Sequence, residues 1–135
     1  MSKLDHIQAP KKFKYRDQSV NIHLHYTFTC HNRIFFTETL YKDLIDHTYK
    51  LTVTVKSLID ESGLASDFMA IDKLYHENIG VLLDGQNINE TLPSMNTTAE
   101  NLALWISDQF KNILEGTDEV VSVTIYESPT HGVSV

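Results

Sequence analysis

The sequence predicts a single α+β domain in which an antiparallel sheet carries two helices on one face. Apolar and polar residues alternate along three segments, and two longer segments repeat apolar residues at helical spacing. The predicted order is strand, strand, helix, helix, strand, and such grouping of like elements is typical of α+β folds. The second face of the sheet needs a cover, which a symmetric oligomer is one way to provide.

Three strands are predicted from residues that alternate in polarity. The first begins near Val20, and its apolar residues share one parity, as expected for a strand with one buried face: Ile22, Leu24, Tyr26, Phe28 and Cys30. The second covers residues 49–58. The third covers residues 120–127, with one apolar face: Val121, Val123 and Ile125. We expect residues 31–46 to form a long connection, either functional or partly structured.

Two helices are predicted between the second and third strands. The first covers residues 67–83, with Ser66 or Asp67 as its N-cap. The second begins at residues 97–100, Thr-Thr-Ala-Glu, which fit a capping box with a hydroxyl first and a carboxylate three residues later. Its apolar stripe then runs to a stop at Gly116: Leu102, Trp105, Ile106, Phe110, Ile113 and Leu114.

Composition narrows the classes of function. The chain has 135 residues, 41% of them hydrophobic, and a formal net charge of -7. This acidity argues against a general nucleic-acid binder and disfavours an anionic membrane surface as a partner. A single cysteine cannot form an internal disulfide, and no apolar leader or span is present, so we expect a cytoplasmic protein. We expect residues 1–18 to be a basic N-terminal extension and residues 19–135 to be the domain.

Four stretches occur in an order that resembles one family. They are GLASDFMAIDKL (63–74), LDGQNINE (83–90), NTTAENLALWI (96–106) and VTIYES (123–128). Together they resemble the 6-pyruvoyl-tetrahydropterin and 6-carboxytetrahydropterin synthases. The resemblance implies a T-fold, an antiparallel sheet with two helices on one face. It also implies subunits that assemble through their sheets into a barrel, commonly a hexamer of two trimers, with ligand sites between subunits.

The resemblance also implies a ligand site. A glutamate at the end of the family's last strand grips the guanidine-like edge of a pterin, and Glu127 matches that position. A carboxylate can accept two parallel N–H bonds from such an edge. Thr98 and Glu100, in the third stretch, are the other expected ligand-binding residues. Without the resemblance, Glu127 would be interpreted as an exposed carboxylate at a strand end. The expected ligand is a pterin or a purine-like ring.

The metal site implied by the resemblance is incomplete. The family holds zinc on three histidines, one on the first strand and two in a His-Gly-His that opens the second. Here the latter reads Ile-Asp-His at residues 45–47, so only His47 remains. The first-strand ligand aligns with Cys30 or His31, and an aromatic residue four positions earlier, Tyr26, favours Cys30. At most two of three ligands remain, and two do not usually hold zinc tightly.

A replacement metal site is left open by the remaining histidines. His23 and His25 lie two apart on one strand face, with His31 on the same parity and His47 on the next strand. Ordinary histidines on a polar face are the simpler interpretation. The sequence therefore leaves zinc as a possible cofactor but does not predict it.

The family's other catalytic groups are also altered. Its cysteine base aligns with Tyr41, which cannot form a thiolate. The folate-linked branch uses a glutamate near this point, but Glu38 is not at the matching position. The Asp-His relay is reduced to Asp84 followed by Gly85, which leaves Asp84 as a remnant catalytic residue. His76 or His131 could enter the site from elsewhere in the chain, although the sequence places neither of them.

Three hypotheses remain open from the sequence. The first is a T-fold protein that binds a pterin or purine-like ring without the usual zinc chemistry. The second is a divergent, active synthase of the family, a lyase with a rebuilt metal site. The third is a structural or partner-binding oligomer with a vestigial pocket. The first hypothesis predicts that the protein binds a ring without zinc. The second predicts turnover by a protein that contains metal, and the third predicts an oligomer that binds no small ring.

Overall fold

A computed structural model describes residues 2–135 and confirms the α+β class. Within that range, four strands form one antiparallel sheet in the order β1-β2-β3-β4. They are β1 (Ser19–Phe35), β2 (Tyr41–Leu58), β3 (Glu119–Ser128) and β4 (His131–Ser134). The helical elements are α1 (Phe68–Tyr75), a π-helical turn (His76–Gly80), α2 (Val81–Leu83), α3 (Ile88–Thr91) and α4 (Ala99–Ile113).

The core lies between the apolar face of the sheet and the helices. The predicted apolar parity of β1 is confirmed, because its even-numbered residues from Ile22 to Ile34 are all buried. Three aromatic rings cluster between the layers, with centroid distances of 3.8 Å (Tyr26 to Tyr75), 5.9 Å (Tyr75 to Phe110) and 6.3 Å (Tyr26 to Phe110). Burying rings of this size contributes a large share of the core's hydrophobic stabilisation. The opposite face of the sheet is polar.

The predicted long connection over residues 31–46 is wrong. Both strands continue to a short turn at residues 36–40, where the amides of Phe36 and Thr37 donate to the Leu40 carbonyl (2.8 and 3.1 Å). The alternation along β2 was obscured by a bulge, since Cys30 pairs with residue 47 but the next pair is residues 32 and 44. One extra residue on β2 reverses its parity, so residue 44 is buried and residue 45 is exposed.

The N-caps are confirmed for one helix and corrected for the other. The Asp67 carboxylate accepts from the Met69 amide (2.9 Å) at the start of α1, as predicted. At α4 the capping box is not formed, because the N-cap is Thr98, which accepts from the Asn101 amide (3.2 Å). Glu100 therefore lies one position too early to close a box. Thr97 is buried instead, and its hydroxyl donates to a β1 carbonyl.

The third strand also contains a bulge that the sequence did not reveal. Ser122 pairs with Thr54 while Val120 pairs with Val55, so Val121 is the extra residue. Val121 is 50% exposed, and its predicted place beside Val123 on the buried face is wrong. Val120 packs against the core in its stead.

The remaining segments cover the ends of the domain. Residues 2–18 precede β1 as turns and irregular chain, and the Lys14 ammonium contacts Asp17 and Glu61 at 2.7 Å each. Within residues 2–135, the helices are too short or too polar to cross a bilayer.

Candidate functional site

Glu127 lies near the end of β3 and lines a groove that we call the Glu127 groove. The groove has a volume of about 480 Å³. Its lining combines a half-exposed aromatic ring, hydroxyls, a lysine and a proline: Thr48, Lys50, Tyr126, Glu127, Ser128 and Pro129. Among the described residues, no side chain or backbone group forms a hydrogen bond or an ion pair with the Glu127 carboxylate. Both of its oxygens are therefore available to accept from a ligand.

Glu127 also lies close to the buried end of the sheet. The strand register pairs Tyr126 with Lys50, so Glu127 is level with Tyr49 on β2. Burial is the main cause of the raised pKa of the Tyr49 hydroxyl, and the charge of Glu127 adds to it. The carboxylate thus lies where the groove meets the core, a position in which charged hydrogen bonds are strengthened by partial desolvation.

The other expected ligand-binding residues lie elsewhere in the chain. Thr98 and Glu100 are at the start of α4, where the Thr98 hydroxyl is occupied as the N-cap and Glu100 is exposed. Neither lines the Glu127 groove. One chain therefore does not bring these two residues together with Glu127.

Two of the three expected metal ligands face each other. Cys30 and His47 are direct partners on β1 and β2, and the Nε2 atom of His47 is buried with no hydrogen-bond partner. Burial raises the pKa of the Cys30 thiol to about 12, with a further contribution from the charge of Asp84. In the absence of a metal ion the thiol therefore stays protonated at neutral pH, so that zinc binding at Cys30 would have to release this proton.

The remaining positions do not fit a three-ligand zinc site. Ile45 is 67% exposed and has no donor atom. The Nδ1 atom of His31 accepts from the Asp46 amide (3.0 Å). Asp46 itself has a φ of 48°, the left-handed region that suits the glycine of the family's His-Gly-His. Residues 2–135 contain no group of three or more metal-binding side chains near one point.

The alternative pair, His23 and His25, is anchored to the neighbouring strand. Their Nδ1 atoms are 3.0 and 2.9 Å from the hydroxyls of Thr54 and Thr52. These contacts explain the two histidines as part of a hydrogen-bonded polar face. Within the described range they have no third ligand beside them.

The position of the family's cysteine base carries an aromatic ring in a cation–π contact. The guanidinium of Arg33 lies 3.8 Å from the centroid of the Tyr41 ring. Arg33 also donates two bonds to Asp43 (2.6 and 2.9 Å), which fixes it over the ring. Glu38 is in the exposed turn between β1 and β2. This arrangement stabilises a hairpin and provides no nucleophile.

Asp84 has a structural role that the sequence did not reveal. Its Oδ1 accepts from the Thr29 amide (2.9 Å), and the Gly85 amide donates to the Thr29 carbonyl (2.7 Å). The turn thereby satisfies part of the open edge of β1. Asp84 also lines a second cavity of about 350 Å³, the π-turn groove, which is lined by Thr27, Tyr75, His76, Gly80, Val81, Asp84 and Gln86. The structure thus places His76 beside Asp84 in one groove.

Asparagine side chains in two of the family-like stretches cover the same strand further along. The Asn89 amide group bonds both the N–H and the carbonyl of Arg33 (2.7 and 3.0 Å). Asn96 does the same for Phe35 (2.9 and 2.7 Å). Each side chain replaces a neighbouring strand, so these residues are needed for structure. Their only signal in the sequence was their presence in the quoted stretches.

The chain is similar to known proteins in both sequence and fold. A family model described as 6-pyruvoyl tetrahydropterin synthase matches residues 21–135. A dihydroneopterin monophosphate aldolase from Pyrococcus furiosus is 30% identical over 95 residues, which are 70% of this chain and 80% of that protein.

Solved structures share the fold. The 6-pyruvoyl tetrahydropterin synthase of Caenorhabditis elegans superimposes with a TM-score of 0.74 at 18% identity, over 90% of this chain and 97% of that chain. The enzyme of the same name from Plasmodium falciparum gives 0.59 at 14% identity, over 87% and 96%. The predicted T-fold is confirmed.

Proposed function

The chain belongs to the 6-pyruvoyl tetrahydropterin synthase family, and on that premise we propose that it binds a pterin or purine-like ring in the Glu127 groove. The observation that carries the proposal is the Glu127 carboxylate, which has no partner among residues 2–135 and stands at a groove of about 480 Å³. That volume lies within the range of small-molecule sites, roughly 300–1,000 Å³.

The chemistry of the groove suits such a ring. The amino group and the adjacent ring N–H of a pterin form a planar pair of donors, and one carboxylate can accept both in parallel. The exposed Tyr126 ring offers a flat apolar surface, and the hydroxyls of Thr48 and Ser128 offer further polar contacts. A ring with a donor pair on one edge would use all of these features.

We propose that binding needs no zinc. Ile45 removes one ligand of the family's set, and residues 2–135 contain no group of three or more metal-binding side chains near one point. We derive no catalytic step through a metal ion.

A homo-oligomer is part of the proposal. Thr98 and Glu100 lie apart from Glu127 within one chain, which supports a site completed by a second copy. The polar face, the edge of β4 and the part of the β1 edge before Thr29 offer the surface for it. A hexamer or another T-fold ring would satisfy this arrangement, and the acidic chain offers no basis for nucleic acid or an anionic membrane as partner.

The experiment is a fluorescence titration of the protein with pterin. Glu127→Gln removes the charge and one of the two acceptors, so we expect affinity to fall about 10- to 100-fold, the range for losing a charged hydrogen bond. Glu119→Gln is the matched control, because Glu119 is exposed at the other end of the same strand and should bind as the wild type does. Equal binding by Glu127→Gln would refute the assignment.

A second candidate function is cleavage of the side chain of a dihydroneopterin-type substrate. It is favoured by one observation, the 30% identity to an enzyme named dihydroneopterin monophosphate aldolase. An aldolase needs a base for a hydroxyl proton, and Asp84 and His76 share one groove. Incubation with dihydroneopterin monophosphate should release an aldehyde if this candidate is right. Dihydroneopterin triphosphate, tested in parallel, would instead release triphosphate if the chain were a divergent synthase.

A further inference from the structure

The segment before β1 is basic and carries large apolar side chains on its surface. Residues 1–18 contain five lysines and arginines and two aspartates, a formal charge of +3, so residues 19–135 carry -10 of the total of -7. Four large apolar side chains of this segment are each more than half exposed: Leu4, Ile7, Phe13 and Tyr15. Because a folded chain normally covers clustered apolar groups, these side chains indicate a surface that contacts a partner.

The extension is fixed to the domain at the turn of residues 60–63. The Lys14 ammonium contacts the Glu61 carboxylate at 2.7 Å. Gly63 has a φ of 77°, and a Cβ added to it would be 2.7 Å from the carbonyl oxygen of Phe13. This close approach holds the backbone of the extension against the turn. The other basic side chains of this part of the extension form no ion pair with a carboxylate of residues 2–135: Lys11, Lys12 and Arg16.

The same turn borders a groove of about 490 Å³ at the start of α1, which we call the α1 groove. Its lining combines two carboxylates with apolar side chains: Asp60, Leu64, Ala65, Ser66, Asp67 and Phe68. The side chains of Leu64 and Phe68 are more than half exposed. The Oδ1 atoms of Asp60 and Asp67 accept from backbone amides, whereas neither Oδ2 has a hydrogen bond within the described range. Two carboxylates are thus held in place with one oxygen each available to a cation.

The extension and the α1 groove complement each other in charge and polarity. The extension is basic and aromatic, the groove is acidic and apolar, and the two adjoin at one turn of the chain. A surface that presents both halves side by side is self-complementary, because a two-fold axis lets the extension of each copy meet the groove of the other. A different protein would have to present both halves in the same arrangement. A second copy of this chain is therefore the partner that the surface fits.

We propose that two copies of the chain pair through this surface, with the extension of each copy in the α1 groove of the other. The ammonium groups of Lys11 and Lys12 face Asp60 and Asp67 of the second copy, and opposite charges fix the orientation of the pair. The exposed aromatic and aliphatic side chains supply the buried apolar area. The contact uses neither the Glu127 groove nor the polar face of the sheet, so it is independent of the ring site and of any assembly through the sheets.

The first experiment is carbodiimide cross-linking, which joins an amine to a carboxylate in direct contact. Unlabelled and ¹⁵N-labelled proteins are unfolded and refolded together, so that copies mix. We expect cross-linked peptides that join Lys11 or Lys12 of one label to Asp60 or Asp67 of the other label. The Lys14 to Glu61 contact lies within one chain, so its peptide should carry matching labels and serves as the internal control. Peptides of the extension and the groove that carry matching labels only, or none at all, would overturn the inference.

The second experiment measures the mass of the assembly by sedimentation equilibrium. Lys11→Glu combined with Lys12→Glu brings like charges together, so the dissociation constant of the pairing should rise about tenfold or more and the mass should fall. Phe68→Ala tests the contact from the groove side and should lower the mass as well, while its exposed position spares the core.

Lys73→Glu combined with Lys111→Glu is the matched control, because it changes the net charge equally at exposed positions of α1 and α4. This control should keep the wild-type mass. The inference is wrong if the Lys11 and Lys12 variant keeps the wild-type mass, or if the control loses as much mass. The affinity for pterin should be the same in all of these proteins, so a failure of the pairing and a failure of the ring site are told apart.

Discussion

The hydrogen bonds of the buried Asn32 amide make a strong prediction about the stability of the fold. Asn32 is 3% exposed, and its Nδ2 donates to the Tyr49 hydroxyl (3.1 Å) and to the carbonyl and hydroxyl of Thr97 (3.1 and 3.2 Å). The amide thus connects β1 to β2 and to the chain entering α4. In Asn32→Ala, the Tyr49 hydroxyl and the Thr97 carbonyl lose this donor inside the core.

The magnitude follows from those two groups. A buried polar group left unsatisfied costs about 1–3 kcal/mol, so we expect Asn32→Ala to lower the free energy of unfolding by about 3 kcal/mol. Tyr49→Phe removes only one of three acceptors, and the Asn32 amide keeps Thr97, so about 1 kcal/mol should be lost. The Thr97 hydroxyl also retains its bond to the Arg33 carbonyl (3.2 Å).

Urea unfolding of the wild type, both single variants and the double variant measures the coupling between the two side chains. In the Asn32→Ala background, Tyr49→Phe should become neutral or stabilising, because it then deletes a hydroxyl that has already lost its donor. The network would be refuted if Tyr49→Phe were equally destabilising in both backgrounds, or if Asn32→Ala cost less than about 1 kcal/mol.

Two further predictions concern the core. The Cys30 pKa of about 12 exceeds the unfolded value of about 8.5. The folded protein therefore keeps a proton that the unfolded chain releases, so stability should fall as the pH rises above about 8.5. Urea midpoints at pH 7 and pH 10 should differ less in Cys30→Ala than in the wild type; an equal difference would contradict the shift. Trp105 is only partly buried, so Trp105→Ala should cost about 2 kcal/mol by urea unfolding, below the 3–5 kcal/mol of a fully buried ring; a loss within that higher range would show that the ring is core.

Periodicity was sufficient to predict the main elements. The alternation from Ile22 to Cys30 indicated the buried face of β1, and the apolar stripe from Leu102 to Phe110 indicated the face of α4. These signals are strong because one face of each element is consistently apolar. Residues at the edges of elements carried no such signal. The short strand β4, for example, has only four residues, one of them a glycine, which are too few for an alternation to be recognised.

Single-residue irregularities could not be predicted from one sequence. The bulges at Asp46 and Val121 depend on which residues pair across two strands, and each reverses the parity on one side of it. At α4, Thr97 and Thr98 are both good N-cap residues. Thr98 is the N-cap because Thr97 is buried against Asn32, a residue 65 positions away in the chain.

The candidate site was predictable only in part. Glu127 was identified through the family resemblance, and its unpartnered carboxylate is consistent with that role. The π-turn groove was not foreseen, because it joins residues that are distant in sequence. Asp84 and Thr29 are 55 positions apart, and the unpartnered hydroxyl of Tyr75 has no signature in the sequence.

The most direct test of the central claim is the dissociation constant of pterin for protein stripped of metal by a chelator. We propose a ring site centred on Glu127 that needs no zinc, so the stripped and untreated proteins should bind pterin with the same affinity, and added zinc should not change it. The proposal would be contradicted if pterin binding were lost when the metal is removed and recovered when one zinc per chain is added. That result would require a metal site completed by ligands from a second copy of the chain.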